Sequence, residues 1–426
     1  MIMILLLLFL KTFIHFSNAF DHFSWEIPSC EKKYCLTKKT ILQKMLFLSI
    51  PNKIKFQEIY RSYLNIKIQR GGITPHTNLD SFHGQGISGI FASNIPQGAT
   101  TIFSNFFGFL FPVRWFNLKK AKKEYWAEKY SYYLMQANFV NWSENIFLEL
   151  EYFLYNREIL NFYKNKLLKI LEIEKSRFDL QALSMEKILE LTIFIQKVEN
   201  EILLNEQNYK TLLNTLLENL SIYQDRDAKL EDFGIIVSKI QPYKNFKKSY
   251  PGLENIERAK ELSLDLKSSV HLLKASYFRL KSHRWEFISP QTNPESSLGL
   301  TLSGTLKTQK SYIRTIKLNM DFSKIKITQA VYSLYFSNNY FIDNLLYMDG
   351  NRKFLINQFR LVENDFLESE NLNIPVCIKI NKEMMETDLY FSFLYHSYLI
   401  NESNLKRLYL NGEHYKTFKN FILTNK

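Results

Sequence analysis

From Val113 to Phe233 the chain runs for 121 residues without a glycine or a proline, through Leu, Ile, Lys, Glu, Asn and Tyr. Such a run predicts long helices, arranged as an antiparallel hairpin with one tight reversal. Within it Ile188, Ile195, Ile202, Tyr209 and Leu216 recur every seven residues, and Leu191, Val198 and Leu212 stand three residues further on. Asn205 and Asn219 interrupt the second series, so the pattern predicts a coiled-coil seam with polar breaks. A second helical stretch without glycine runs from Thr305 to Asp349, and a third follows Pro375 with Met384, Phe391 and Tyr398.

Two segments between these helices have another character. Gly71 to Val113 holds seven of the 13 glycines and one charge, Asp80, and it includes Ile102, Phe103, Phe106, Phe107, Phe109, Leu110 and Phe111. This is a composition for strands and turns. Trp285 to Leu306 ends in a period of two: Leu298, Leu300, Leu302 and Leu306 point one way, and Gly299, Thr301, Ser303 and Thr305 the other. A strand with one apolar and one small polar face suits a sheet between lipid and water, or between a core and water.

The order of elements repeats. Pro51 and Pro251 each precede a helix of about 20 to 25 residues, then a glycine-bearing strand segment, then long helices, which predicts an internal duplication of about 200 residues. The expected organisation is a signal peptide at 1–19, an N-terminal segment at 20–40, a first repeat at 41–233 and a second at 234–426.

Composition narrows the class. With 46% hydrophobic residues, a sizeable core is affordable and disorder is excluded as the main state. No run of eighteen apolar residues follows the N-terminus, which excludes helical membrane spans and leaves strands untouched. Met1 to Leu10 is wholly apolar, and Ser17-Asn18-Ala19 offers small residues for a signal peptidase, although the first basic residue, Lys11, comes after the apolar run. Export puts Cys30 and Cys35 in an oxidising compartment, where they can close a small loop by disulfide; two unpaired thiols fit the same spacing.

Charge and motifs point to no chemistry. The 55 Lys and Arg against 42 Asp and Glu leave +13, which admits anionic partners without selecting one. Lys119, Lys120, Lys122 and Lys123 form the densest basic patch, open to two readings: a solvated helix start or a contact with anionic lipid headgroups. Gly84-Gln85-Gly86-Ile87-Ser88-Gly89 matches the dinucleotide fingerprint, but no apolar strand precedes it and Pro96 falls where a helix must start. The eight histidines fall in no metal-ligand spacing, and no nucleophile stands beside a base. The expectation is a protein that is not an enzyme, uses no cofactor or metal and binds no nucleic acid.

The residues resemble the TolC family of outer-membrane efflux proteins. Leu36-Thr37 running to Ile50-Pro51 stands where that family opens its mature domain, and Ser249-Tyr250-Pro251 opens the second repeat. Leu273-Lys274-Ala275-Ser276-Tyr277 stands where the family ends a helix in A-R-A-G-Y, and Leu298 to Leu306 where it has a strand. Tyr398-Leu399-Ile400 through Leu405-Lys406-Arg407-Leu408 is similar to the closing helix. The family turns its hairpins at G-x-x-S-x-x-D-V. The matching positions are Gln181, Ser184, Lys187 and Ile188 in the first repeat, and Asn373, Val376, Lys379 and Ile380 in the second, so both glycines and both acids are replaced.

The resemblance implies a mainly α fold with a small β part: long antiparallel coiled-coil helices, and four strands per chain in a trimeric twelve-stranded outer-membrane barrel. Ile102, Phe107, Phe109, Phe111, Leu298, Leu300, Leu302 and Leu306 would be membrane-strand residues. Gln181, Ser184, Lys187, Asn373, Val376 and Lys379 would form the periplasmic helix tips that meet an adaptor or a gate. The implied function is an exit duct of a tripartite efflux or type I secretion system, passive toward substrates delivered by an inner-membrane transporter. Its partners would be two further copies of the chain, a periplasmic adaptor of the membrane fusion type, and outer-membrane lipid. The competing reading is a secreted or periplasmic coiled-coil interaction protein without a pore.

Overall fold

The structure is a computed structural model, and it describes residues 30–73, 110–179, 185–220, 229–237, 246–285, 300–369 and 374–424. The signal peptide expected at 1–19 and the glycine fingerprint at 84–89 lie outside these residues. The described chain is mainly helical, with one very small sheet.

Four helices follow the short strand β1 (Tyr34–Leu36): α1 (Lys38–Leu48), α2 (Ile50–Gly71), α3 (Pro112–Asp179) and α4 (Met185–Asn219). After β2 (Phe233–Ile235) come α5 (Leu253–Leu262), α6 (Leu264–Trp285), α7 (Leu300–Ser369) and α8 (Ile374–Leu408), and the chain closes with α9 (Lys416–Thr424). The lengths match pairwise: 11, 22, 68 and 35 residues for α1 to α4, and 10, 22, 70 and 35 for α5 to α8. The break between the first two helices of each set is a serine. Ser49 and Ser263 take near-identical extended backbones, φ −60° and ψ 133° against φ −64° and ψ 118°, and each separates a short helix from a 22-residue one. Pro51, by contrast, lies inside α2, whereas Pro251 precedes α5. The two prolines are therefore not equivalent positions.

Local chemistry sets several ends. Thr37 caps α1 reciprocally: its hydroxyl accepts from the Thr40 backbone N–H at 3.2 Å, and the Thr40 hydroxyl accepts from the Thr37 N–H at 2.9 Å. β1 and β2 pair in parallel, Tyr34 opposite Phe233 and Leu36 opposite Ile235, with the facing rings stacked 5.1 Å apart. A Cβ on Gly234 would come within 2.9 Å of both Cys30 Sγ and Lys32 Cγ, so only glycine fits there. The sulfurs of Cys30 and Cys35 are within bonding distance, and Cys377 is buried and takes no part in a disulfide.

The chain divides into two compact units, each drawn from both sides of the boundary expected at 233/234. The first holds the chain up to Ser49, Val140–Tyr250 and Ser333–Leu405. Its core is a row of apolar side chains from α3, α4, α7 and α8, among them Tyr163, Leu167, Leu191, Val198, Phe359 and Met384. The expected seam of α4 is buried from Ile188 to Ile202 and again at Leu216, but beyond Asn205 burial also takes in Leu213, Leu217 and Leu220, while Tyr209 and Leu212 are only partly covered. A helix of 3.6 residues per turn drifts against a strict seven-residue repeat, which accounts for the change of row. Asn205 stays in the core because its side-chain amide donates to the Phe153 carbonyl at 2.7 Å.

The second unit holds Ile50–Phe139, Pro251–Tyr332 and Lys406–Lys426. Here α9 docks by its aromatic face: Phe421 lies 4.7 Å from Tyr133 and 6.0 Å from Trp126 between ring centroids, with the Lys129 ammonium 4.6 Å over its ring.

Candidate functional site

The expected tip residues fall around the junctions between paired helices. α3 gives way to α4 across residues 180–184, and α7 to α8 across 370–373. Gln181, Ser184 and Asn373 lie outside the described residues, and Lys187 is the third residue of α4. Val376 and Lys379 are in the first turns of α8. Val376 is half-buried against the first unit's core, whereas Lys379 is exposed and reaches Glu383 at 4.0 Å, a surface pair that contributes little. The structure thus places one of the six, Val376, in a packed contact that ties its helix to the others.

Deeper in the same unit the helices are held together by polar groups that no sequence spacing singles out. Asp388 on α8 is 1% exposed by its side chain and accepts from the Tyr163 hydroxyl at 2.7 Å and from Arg352 Nε at 2.8 Å. Three helices, α3, α7 and α8, are thereby fixed in one register. Burial pushes the Asp388 carboxyl up, and Arg352, Tyr163 and Lys166 oppose it; burial and then the facing carboxylate push the Tyr163 phenol up. The Lys166 ammonium sits 4.4 Å over the Phe359 ring. Nearer the other end of the unit, Asn404 accepts from Asn141 at 2.9 Å and Asn145 at 3.2 Å, and Asn401 donates to Asn338 at 2.8 Å. The one sequence signal for this network is the position of Asp388, two residues before the aromatic run Tyr390, Phe391, Phe393 and Tyr395.

In the second unit four helix ends meet: the end of α2, the start of α3, the end of α6 and the start of α7. Arg114 donates to the Gly72 carbonyl, Ser282 to Asn117 at 2.9 Å, and Gln309 to the Ser276 carbonyl at 3.3 Å. Residues 74–109 and 286–299 connect these ends in sequence. Of the expected strand residues, Ile102, Phe107, Phe109 and Leu298 lie outside the described residues, and Phe111 immediately precedes α3. Leu300, Leu302 and Leu306, expected in a strand, lie in the first turns of α7 in this structure. The reason is the longer pattern in which the short alternation ends. Leu306, Gln309, Ile313, Ile316 and Met320 are covered at helical spacing, and this row carries the helix back to Leu300. Gly304 and Gly350 also lie within α7, where each costs about 1 kcal/mol relative to alanine and neither breaks a 70-residue helix.

Among the described residues no group of three or more His, Cys, Asp or Glu could hold a metal ion, and no helix is long and apolar enough to cross a membrane. No protein-family model and no curated protein matches the sequence. Solved structures do match the fold. The Campylobacter jejuni CmeC outer membrane channel is 11% identical over 95% of each chain, with a TM-score of 0.65. The open state of the Neisseria gonorrhoeae MtrE outer membrane channel is 10% identical over 90% of this chain and 93% of its own, with a TM-score of 0.64. A structure of CusC, described for conformational changes accompanying folding and transmembrane channel formation, is 10% identical over 92% and 95%, with a TM-score of 0.65. This chain has the fold of TolC-type outer-membrane channels. Within that fold the paired helices of 68 and 35, and of 70 and 35 residues, are the two long hairpins, and the four gathered helix ends are where each hairpin leaves for the segment connecting it to its shorter partner.

Proposed function

We propose that the chain is the outer-membrane exit duct of a tripartite efflux or type I secretion system, passing substrates delivered by an inner-membrane transporter through a periplasmic adaptor. The observation that carries this reading is the channel fold over more than nine-tenths of the chain, with both hairpins present at matched length. The working form is a homotrimer. In support, α7 leaves an apolar seam uncovered: Leu318, Ile325 and Tyr332 recur every seven residues, then Tyr340, Tyr347, Phe354 and Leu361 do the same, and all are exposed. Side chains at this spacing on a helix surface pack against another helix, and a second copy of the chain supplies one.

Residues 74–109, with their low charge, and the shorter stretch starting at 286 are proposed to give four strands per chain to a shared twelve-stranded barrel, closed because open edges are not tolerated in lipid. Export by the N-terminal segment 1–19 belongs to the same proposal, as does a disulfide between Cys30 and Cys35. Gln181, Ser184, Lys187, Asn373, Val376 and Lys379 are proposed to form the end that docks the adaptor. Fractionation with heat-modified gel mobility, followed by conductance in planar bilayers, tests the reading. A trimer in detergent that forms pores is expected. A water-soluble elongated monomer would sink the duct and leave the coiled-coil interaction protein.

A further inference from the structure

The second unit is strongly basic and the first is not. Its described residues carry 28 Lys and Arg against 9 Asp and Glu, a formal +19, whereas the first unit carries 22 against 25, a formal −3. The excess concentrates where the four helix ends meet. Residues 60–73, 110–123, 267–285 and 300–320 hold 17 Lys and Arg and no Asp or Glu. None of the 17 is buried, and the one ion pair of the set among the described residues is Lys120 with Glu124 at 3.7 Å.

Helix chemistry does not explain this. A cation in the last turn stabilises a helix, which covers Arg70 on α2 and Arg284 on α6. In the first turn it opposes the dipole, yet Arg114 stands there on α3 and four lysines follow between 119 and 123. Gathering like charges without carboxylates raises self-repulsion, so the arrangement calls for an anionic partner. The charges act inward as well: burial and then Lys123, Lys274 and Lys267 push the His271 imidazole down to about 4. A second feature identifies the partner's kind. Trp115 in the first turn of α3 and Trp285 at the end of α6 are both exposed, at 45% and 41%. Exposed tryptophan beside lysine and arginine is the composition of a membrane–water boundary, where the ring lies at headgroup depth and the cations meet phosphate.

We infer that these four helix ends form a basic collar that binds the headgroups of anionic phospholipids at the membrane surface, where the helices give way to the segments proposed to form the barrel. This rests on the outer-membrane reading and adds a lipid partner to it. Lys119, Lys120, Lys122 and Lys123 carry the densest part, with Lys281, Arg284, Lys307 and Lys310 contributed by the neighbouring ends.

The test uses the full chain purified in detergent, exchanged into mixed micelles of equal phosphatidylglycerol and phosphatidylcholine, washed, and assayed for retained lipid by mass spectrometry. Phosphatidylglycerol should be enriched at about 0.1 M salt and lose its advantage at about 1 M, where charges more than about 3 Å apart are screened. Neutralising Lys119, Lys120, Lys122 and Lys123 to Gln should lower the enrichment by up to about fivefold per lysine, whereas changing the same four to Arg should keep it. Equal retention of the two lipids, or enrichment untouched by the Gln variant, overturns the collar. So does displacement of phosphatidylglycerol by inorganic phosphate beyond that by chloride at equal ionic strength, which would mark a free-phosphate site. A Gln variant that changes ion selectivity in bilayers but not lipid retention overturns it in favour of a basic lumen. Pore formation in neutral lipid is measured separately: pores without anionic preference refute the collar alone, and anionic preference without pores refutes the duct alone.

Discussion

His396 gives a pH dependence whose sign follows from its burial. Its side chain lies on α8, 2% exposed, with ring centroids of Tyr152, Tyr155 and Tyr395 at 5.7, 5.4 and 5.4 Å and Nδ1 2.8 Å from the Ser392 carbonyl. The carbonyl can only accept, so Nδ1 carries a proton. Burial pushes the imidazole down from 6.5 to about 4. A depressed histidine contributes stability that is present above 6.5 and lost as pH falls toward 4, because in that window the unfolded chain takes up a proton that the folded one refuses. A difference of 2.5 units at 1.36 kcal/mol each is about 3 kcal/mol. Replacing His396 with Phe keeps an aromatic ring among the three tyrosines and removes the titration. Urea midpoints of helix loss, followed by circular dichroism in detergent from pH 7 to pH 4, should therefore fall less steeply in the variant, by about 3 kcal/mol across the window. His271 is pushed down to the same value and leaves a residual slope in both proteins. Parallel slopes in the two proteins would refute the reasoning, because they would mean that the α8 face opens to water before the helices unfold.

Replacing Arg352 with Met strands the buried Asp388 charge and should cost about 3–5 kcal/mol in the same assay, and replacing Asp388 with Leu as well should recover much of it. Truncating Phe421 to Ala removes the contacts with Tyr133 and Trp126 that dock α9, at a cost of about 2 to 3 kcal/mol for a half-buried ring, and should speed proteolysis between Asn411 and Lys416. With Cys30 bonded to Cys35, the denatured unreduced chain should take up one alkylating group, at Cys377, and the reduced chain three; mass spectrometry reads the count, and three groups without reduction would exclude the bond.

Long helices were legible because 121 residues without glycine or proline leave nothing else to form, and the seam from Ile188 to Val198 was legible because one face repeats. The break at Ser263 was not, because an extended serine between two helices follows from packing on both sides and leaves no breaker in the sequence, whereas Pro51 marks the one at Ser49. Nor was the Asp388 network. Its members come from positions 163, 352 and 388 on three helices, and only the tertiary arrangement brings a phenol and a guanidinium to one carboxylate. The basic collar was visible only in part: Lys119 to Lys123 stood out in sequence, but the other three ends joined them only once the helix ends were found hydrogen-bonded together.

The start of α7 is where local pattern and observed helix disagree, and the disagreement bears on the barrel. A spanning strand takes about 9–11 residues, so a hairpin with a two-residue turn needs about 20 to 24. Residues 74–109 number 36 and are enough for one, but 286–299 number only 14. Extending the second segment to Leu306 gives 21, and the added residues carry the alternation of Leu300, Leu302 and Leu306 against Thr301, Ser303 and Thr305. Four full strands per chain therefore require the first turns of α7 to become strand in the assembled membrane form. A cysteine scan from 298 to 306 in the reconstituted trimer, read by a water-soluble maleimide, reports the period directly. Protection at every second position, with Leu300 and Leu302 shielded and Thr301 and Ser303 reactive, is the expected outcome. Protection every three to four residues would keep α7 helical to Leu300 and rule out a second full-length hairpin, and with it the twelve-stranded barrel.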